Sequence, residues 1–169
     1  MSDIETLRDL YRHMEWADAV VWTAVVASEA ACADKATRDR LFHIHLVQRL
    51  FLAIWRSQPL DPHAGEGLET RDLARWAPAY YPEARSFLEG IGDSELAAGV
   101  TIPWASAIAA RLGFEPAPIT LRDAVFQVYA HTAHHRGQVL SRLRELGAEP
   151  PLIDFIAWAW RGRPEPAWP

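Results

Sequence analysis

The chain has 169 residues, half of them hydrophobic, which is enough for one domain with a buried core and too short for two comfortable ones. Lys and Arg number 17 against 22 acids, and the formal net charge of −5 argues against a nucleic-acid or anionic-membrane partner. The single cysteine, Cys32, excludes an intramolecular disulfide and is consistent with a reducing compartment.

The N-terminal segment is polar and helical, without the basic and apolar regions of a signal peptide. No apolar stretch reaches the roughly 18 residues that a membrane span needs. We therefore expect a cytoplasmic protein with a single domain over residues 1–161 and a loosely held tail over residues 162–169.

The first two predicted helices have clear starting signals. Ser2 and Glu5 have the spacing of a capping box, and apolar residues then recur at helical intervals to about Ser28. Thr37 is a favourable N-cap residue for a second amphipathic helix that extends to Trp55.

Proline and glycine interrupt the helical pattern in the middle of the chain. A third helix is predicted over roughly residues 70–89, where Pro78 and Pro82 leave open whether the early part is a separate short turn. Residues 90–119 are rich in Gly and Pro, so we expect a long connection with one extended piece.

The last two helices complete the predicted architecture. Thr120 and Asp123 open a fourth helix over about residues 121–146 that ends at Gly147, and a last apolar helix follows over about residues 152–160. The chain is therefore predicted to be an all-α four-helix bundle with a long connection between the third and fourth helices and an extra short C-terminal helix.

Two histidines on the fourth helix have the spacing of metal ligands. His131 and His135 lie one turn apart, about 40° from each other around the axis, so both imidazoles can reach one cation. Both border the apolar stripe, whereas His134 points about 140° to 150° away from it and is predicted to be a surface or interface residue. Gln138 projects within about 20° of His131, where its amide can reach a bound group, a ligand histidine or water.

The second helix supplies a candidate third ligand. His43 lies within roughly 20° to 30° of the centre of the core-facing side, and His45 lies nearly opposite, on a side predicted to be solvated. Taken alone, His43 has the simpler interpretation of a core histidine with one hydrogen bond. With His131 and His135 it forms a set of neutral imidazoles that can bind a divalent ion, zinc or nickel, and leave a coordination position open.

These residues resemble the DinB/YfiT-like superfamily of metal-binding four-helix bundles. Where that family has an acid five residues after the histidine of the second helix, this chain has Gln48. The matches lie at residues 131–138 (His-Thr-Ala-His-His-Arg-Gly-Gln), at His43 with Phe51 eight residues later, at residues 16–18 (Trp-Ala-Asp) and at residues 147–154.

The resemblance implies a metal site at His43, His131 and His135 and a homodimer, and it leaves the reaction open. Several relatives transfer glutathione, mycothiol or bacillithiol, or isomerise maleylpyruvate. A metal-dependent thiol S-transferase or isomerase with a small-molecule substrate and a low-molecular-weight thiol is therefore the implied function. The alternatives are a metal-dependent hydrolase and a non-catalytic bundle, stabilised by its metal, with a binding or stress-related role.

No catalytic side chain is assigned from the sequence. Asp18 lies on the inner side of the first helix, where we expect it to support the site or to be an ordinary polar residue rather than a general base. Arg136 is expected either to bind a substrate carboxylate or to form an external salt bridge or dimer contact.

Overall fold

The computed structural model describes residues 2–169, and α-helices dominate it. Within those residues, no helix is both long and apolar enough to cross a membrane. In chain order the elements are α1 (Asp3–Ala27), α2 (Glu29–Ala33), α3 (Lys35–Trp55), α4 (Thr70–Trp76), a 3₁₀ turn (Ala77–Ala79), α5 (Tyr80–Glu89), α6 (Asp93–Leu96), β1 (Gly99–Val100), α7 (Ala105–Leu112), β2 (Ile119–Thr120), α8 (Leu121–Glu145) and α9 (Phe155–Trp160).

Helices α1, α3, α5 and α8 form the bundle that the hydrophobic spacing predicts, and α9 is the extra C-terminal helix. α3 lies along α8, and α1 packs against both α8 and α5. Each helix has an apolar stripe that is driven out of water, so the facing sides form the core. The all-α bundle prediction is therefore confirmed. Core residues that are at most 6% exposed include Leu7, Met14, Phe51, Tyr80 and Val125.

The predicted ends of the two longest helices are confirmed. Ser2 and Glu5 form a reciprocal capping box at the start of α1, and Thr120 and Asp123 form another at the start of α8. Each box satisfies backbone N–H groups that a helix start leaves unpaired. Beyond the end of α8, Gly147 has a φ of +78°, a left-handed conformation that glycine adopts at low cost.

The second predicted helix begins earlier than expected, because its N-cap is Asp34 and not Thr37. The Asp34 carboxylate accepts a hydrogen bond from the backbone N–H of Thr37 at 2.8 Å and another from Arg142 of α8 at 2.8 Å. Arg142, together with Thr37, holds the pKa of this carboxyl group well below its usual range. The cap therefore also ties the start of α3 to α8.

Proline divides the third predicted helix into α4 and α5. Pro78 lies in the 3₁₀ turn between them, where its missing N–H and rigid ring interrupt the helical ladder. Pro82 lies in the first turn of α5, a position at which the backbone N–H has no intrahelical partner. The early part of the predicted helix is therefore a separate element.

The connection between α5 and α8 is more regular than predicted. It contains α6 and α7, and β1 pairs with β2 in an antiparallel register, with Gly99 opposite Thr120 and Val100 opposite Ile119. β2 leads directly into α8. The pairing therefore anchors the connection beside the start of the helix that carries His131 and His135.

The C-terminal tail packs on the bundle, which corrects the prediction of a loose segment over residues 162–169. The ring centroids of Trp168 and Tyr81 lie 5.7 Å apart, and Arg163 forms an ion pair with Asp9 at 3.1 Å. Burial of a large indole against other apolar side chains is strongly favourable. The aromatic residue near the end of the chain therefore holds the tail in place.

Candidate metal centre

Three imidazole rings meet where α3 packs against α8. Nε2 of His43 lies 3.1 Å from Nε2 of His131, and one nitrogen from each of His43, His131 and His135 lies within 4.8 Å of the other two. The three ring centroids are 4.4, 4.7 and 4.9 Å apart. The structure therefore brings together the three histidines that the sequence singles out, and these form the histidine cluster.

The two helices contribute the rings in different ways. His131 and His135 project to the same side of α8 because they are one turn apart. His43 reaches them from α3, but it is exposed, so its predicted position in the middle of the core-facing side is wrong. The histidine cluster consequently lies at the edge of the bundle and faces a surface cavity.

Burial keeps two of the rings neutral. It lowers the pKa of His131 to about 4, with smaller contributions from the nearby His135, His43 and His134. Partial desolvation by its neighbours also lowers the pKa of His43, although much of that side chain is exposed, and the nearby His135 contributes. A neutral imidazole has a lone pair for a metal, and a protonated one does not. At neutral pH these two rings are therefore in the form that a cation requires.

The donor set fits a divalent transition metal. Two nitrogens that each lie about 2.1 Å from one zinc ion are about 3.0 to 3.4 Å apart. The Nε2 atoms of His43 and His131, at 3.1 Å, have such a separation. Nδ1 of His131 is buried without a hydrogen-bond partner in the described part of the chain, so no protein contact at that atom offsets the desolvation of the ring.

Gln138 orients one of the three rings. Its amide oxygen accepts a hydrogen bond from Nδ1 of His135 at 2.8 Å, which leaves Nε2 of that ring with the lone pair. Its amide nitrogen donates to Nε2 of His134 at 3.1 Å. His134 is exposed, as predicted. The sequence placed Gln138 next to His131, and the structure joins it to the other two histidines of α8 instead.

His45 is fully buried, which corrects the prediction that it is solvated. Its Nε2 accepts a hydrogen bond from the indole of Trp22 at 2.8 Å, and its Nδ1 donates to the amide oxygen of Gln48 at 2.8 Å. Burial lowers the pKa of this imidazole. Both ring nitrogens are committed to neighbours, so His45 has no lone pair left for a ligand.

Arg136 is buried in an ion pair, so neither predicted role, a substrate contact or an external contact, is correct. Its guanidinium donates to the Asp18 carboxylate at 2.8 Å, and the two side chains are only 3% and 4% exposed. The Tyr81 hydroxyl and the Gln48 amide also donate to Asp18, which lies on the inner side of α1 as predicted. Together these contacts form the buried network of Asp18, Trp22, His45, Gln48, Tyr81 and Arg136.

The sequence contains a signal for the buried part of α3. Val47, Leu50 and Ile54 define the apolar side of α3 in the sequence, but they are only partly buried. A second set recurs at alternating intervals of four and three residues, the spacing of a helix seam, and it lies entirely within the protein. This set consists of Leu41, His45, Gln48, Leu52 and Trp55.

The fold and the histidine cluster together define a helical bundle in which two packed helices present imidazoles that can hold a divalent metal. The chain belongs to the DinB family, whose family model matches residues 1–165. Members of this family are typically associated with a metal. A search of curated proteins found no match.

Proposed function

We propose that the protein is a metal-dependent enzyme of the thiol S-transferase or isomerase type, with zinc or nickel held by His43, His131 and His135. One observation carries the proposal: the rings meet at the edge of the bundle beside a cavity of about 360 Å³. Within the described residues, the histidine cluster includes no cysteine or carboxylate. A metal with three protein ligands has room for a small molecule, which is typical of catalytic sites rather than closed structural ones.

A divalent ion at this position supplies Lewis-acid chemistry, which lowers the pKa of a thiol or of a water molecule. The residues of the chain prepare the site for it. Desolvation and the neighbouring imidazoles keep His43 and His131 neutral, and Gln138 leaves Nε2 of His135 with its lone pair. All three rings stand on long capped helices, which hold ligands more accurately than loops do.

The surroundings of the histidine cluster favour an external thiol over a hydrolytic water. Hydrolysis needs a nearby general base. The Asp18 carboxylate is committed to the buried network, and Asp39 in the cavity wall is bound by Lys35 and Arg38. Cys32 is not part of the cluster. A low-molecular-weight thiol is therefore the proposed co-substrate.

A second candidate function is a metal-stabilised bundle without turnover. The position of the histidine cluster favours it, because a metal there would link α3 to α8. However, these helices already pack on each other, and the 2.8 Å ion pair between Asp34 and Arg142 joins them as well. A link between helices also requires no cavity beside it.

Elemental analysis of protein purified without a histidine tag, followed by a thiol-consumption assay, separates these functions. A panel of low-molecular-weight thiols and a chromogenic electrophile is offered to metal-loaded, chelator-treated and reloaded protein. The enzyme proposal expects consumption that disappears with the metal and returns on reloading. Bound metal without turnover supports the stabilised bundle, and a protein that takes up neither zinc nor nickel overturns both functions.

A further inference from the structure

The cavity beside the histidine cluster has a polar lining from α3 and α8. It is a shallow, open cavity of about 360 Å³, so a small organic molecule bound there stays partly exposed to solvent. A molecule in the cavity would touch two of the cluster histidines and the other lining side chains at the same time. The lining consists of Ala36, Asp39, Arg40, His43, His135 and Gln138.

Two of the polar lining residues are already bound to neighbours. The Asp39 carboxylate is contacted by Lys35 and by Arg38, whose charges neutralise it. Gln138 uses its amide oxygen and its amide nitrogen on histidines of α8. The charge of Asp39 is therefore neutralised, and both polar groups of the Gln138 amide are already in use.

Arg40 is the charged lining residue without a counterion. Its guanidinium donates one long hydrogen bond, from Nη1 to the carbonyl oxygen of Ala36 at 3.4 Å. Among residues 2–169, no carboxylate oxygen lies within 4.0 Å of a nitrogen of the Arg40 guanidinium, the separation that an ion pair requires. The side chain is half-buried. Such a guanidinium, with most of its N–H donors unused, is suited to an anion and above all to the two oxygens of a carboxylate.

We propose that the site takes a small thiol that carries a carboxylate, with the carboxylate on Arg40 and the sulfur at the histidine cluster. The inference rests on the proposed function, because the sulfur end requires the metal. Arg40 and His43 are three residues apart on α3, so they share one side of the helix and lie about 4.5 Å apart along its axis. A molecule with a few bonds between its sulfur and its carboxylate spans that separation.

Two thiols of equal length, 3-mercaptopropionate and 3-mercaptopropanamide, isolate the effect of the negative charge. Each is titrated into cobalt-substituted protein, in which sulfur-to-cobalt charge-transfer absorption reports thiol binding without any turnover. The titrations are repeated on Arg40→Gln and on Arg56→Gln. The second variant is the matched control, because it removes the same charge just beyond the end of α3, at an exposed residue whose partner is Glu83.

We expect the unaltered protein to bind the carboxylate probe about tenfold more tightly than the amide, as a charge-assisted contact predicts. Arg40→Gln removes this preference and Arg56→Gln keeps it, while both variants bind cobalt normally. Equal affinity for the two thiols, or a preference that survives Arg40→Gln, overturns the role of Arg40 and leaves the proposed function standing. Cobalt binding without a thiol band overturns the thiol function, and the carboxylate subsite with it. A protein that binds no cobalt overturns the metal site and both proposals.

Discussion

The buried network and the histidine cluster both include side chains of α3 and α8, yet their hydrogen bonds differ. In the buried network both ring nitrogens of His45 have partners, and the Asp18 carboxylate accepts from three side chains. In the histidine cluster the Nε2 atoms of His43 and His131 face each other, and Nδ1 of His131 has no partner in the described part of the chain. His43 and His45, only two positions apart on α3, thus have different surroundings.

This difference distinguishes a structural polar cluster from a binding site. Buried polar groups that satisfy one another contribute to the stability and uniqueness of a core. The Nε2 atoms of His43 and His131 have only each other as partners, and a cation that replaces the proton between them can bind both. The residue type is the same in both places, and the available partners decide what each histidine can do.

The largest effect is expected from Asp18→Ala in the buried network. Removal of the carboxylate leaves the buried Arg136 without its counterion, and breaking such a pair costs about 3 to 5 kcal/mol in the free energy of unfolding. Asp39→Ala, which breaks only exposed ion pairs, should cost less than about 1 kcal/mol. Denaturant unfolding of both variants measures the contrast. Similar stabilities would show that Arg136 finds another partner, and the structural assignment of the network would fail.

His43→Ala tests the histidine cluster. Loss of one of three ligands is expected to weaken zinc binding by about a hundredfold or more, since even contacts behind a ligand are worth 10- to 100-fold. The metal-free variant should keep nearly all of its stability, because the His43 side chain is exposed. Competition with a chromophoric chelator measures the affinity. His134→Ala is the control on α8, and an equal loss in that variant would contradict the assignment of ligands.

His45→Ala should lower the stability and leave the zinc affinity nearly unchanged, the opposite of what we expect for His43→Ala. It leaves Trp22 and Gln48 without their partner and opens a cavity, so the free energy of unfolding should fall by about 2 to 3 kcal/mol. Zinc affinity of the folded variant should stay within about twofold, since His45 contributes no free lone pair. Denaturant unfolding measures the free energy of unfolding, and competition with the chromophoric chelator measures the zinc affinity. A large loss of affinity at normal stability would place His45 in the metal site.

The smallest effect is expected from Gln138→Leu. Without the amide oxygen, His135 loses the contact that fixes its tautomer, and zinc affinity should fall by about tenfold. Stability should hardly change because Gln138 is exposed. Gln127→Leu, at another exposed glutamine of α8, is the matched control. Unchanged affinity in Gln138→Leu would show that the helix alone orients the ring.

Local signals in the sequence were sufficient for the ends of α1 and α8. The capping residues at the starts of α1 and α8, and Gly147 after the end of α8, act through contacts with their immediate neighbours. The placement of His131 and His135 on one side of α8 likewise follows from helix geometry. The sequence by itself therefore determined the all-α bundle and the pair of rings on α8.

Only the tertiary structure decided which of His43 and His45 faces the interior. A helical wheel gives a direction relative to the apolar side of its own helix, and α3 is covered by neighbours over a different side from the one that Val47 and Leu50 mark. The 3.1 Å approach of His43 to His131 also depends on how α3 lies along α8. Residues 88 positions apart in the chain meet through packing, which no local pattern in either helix measures.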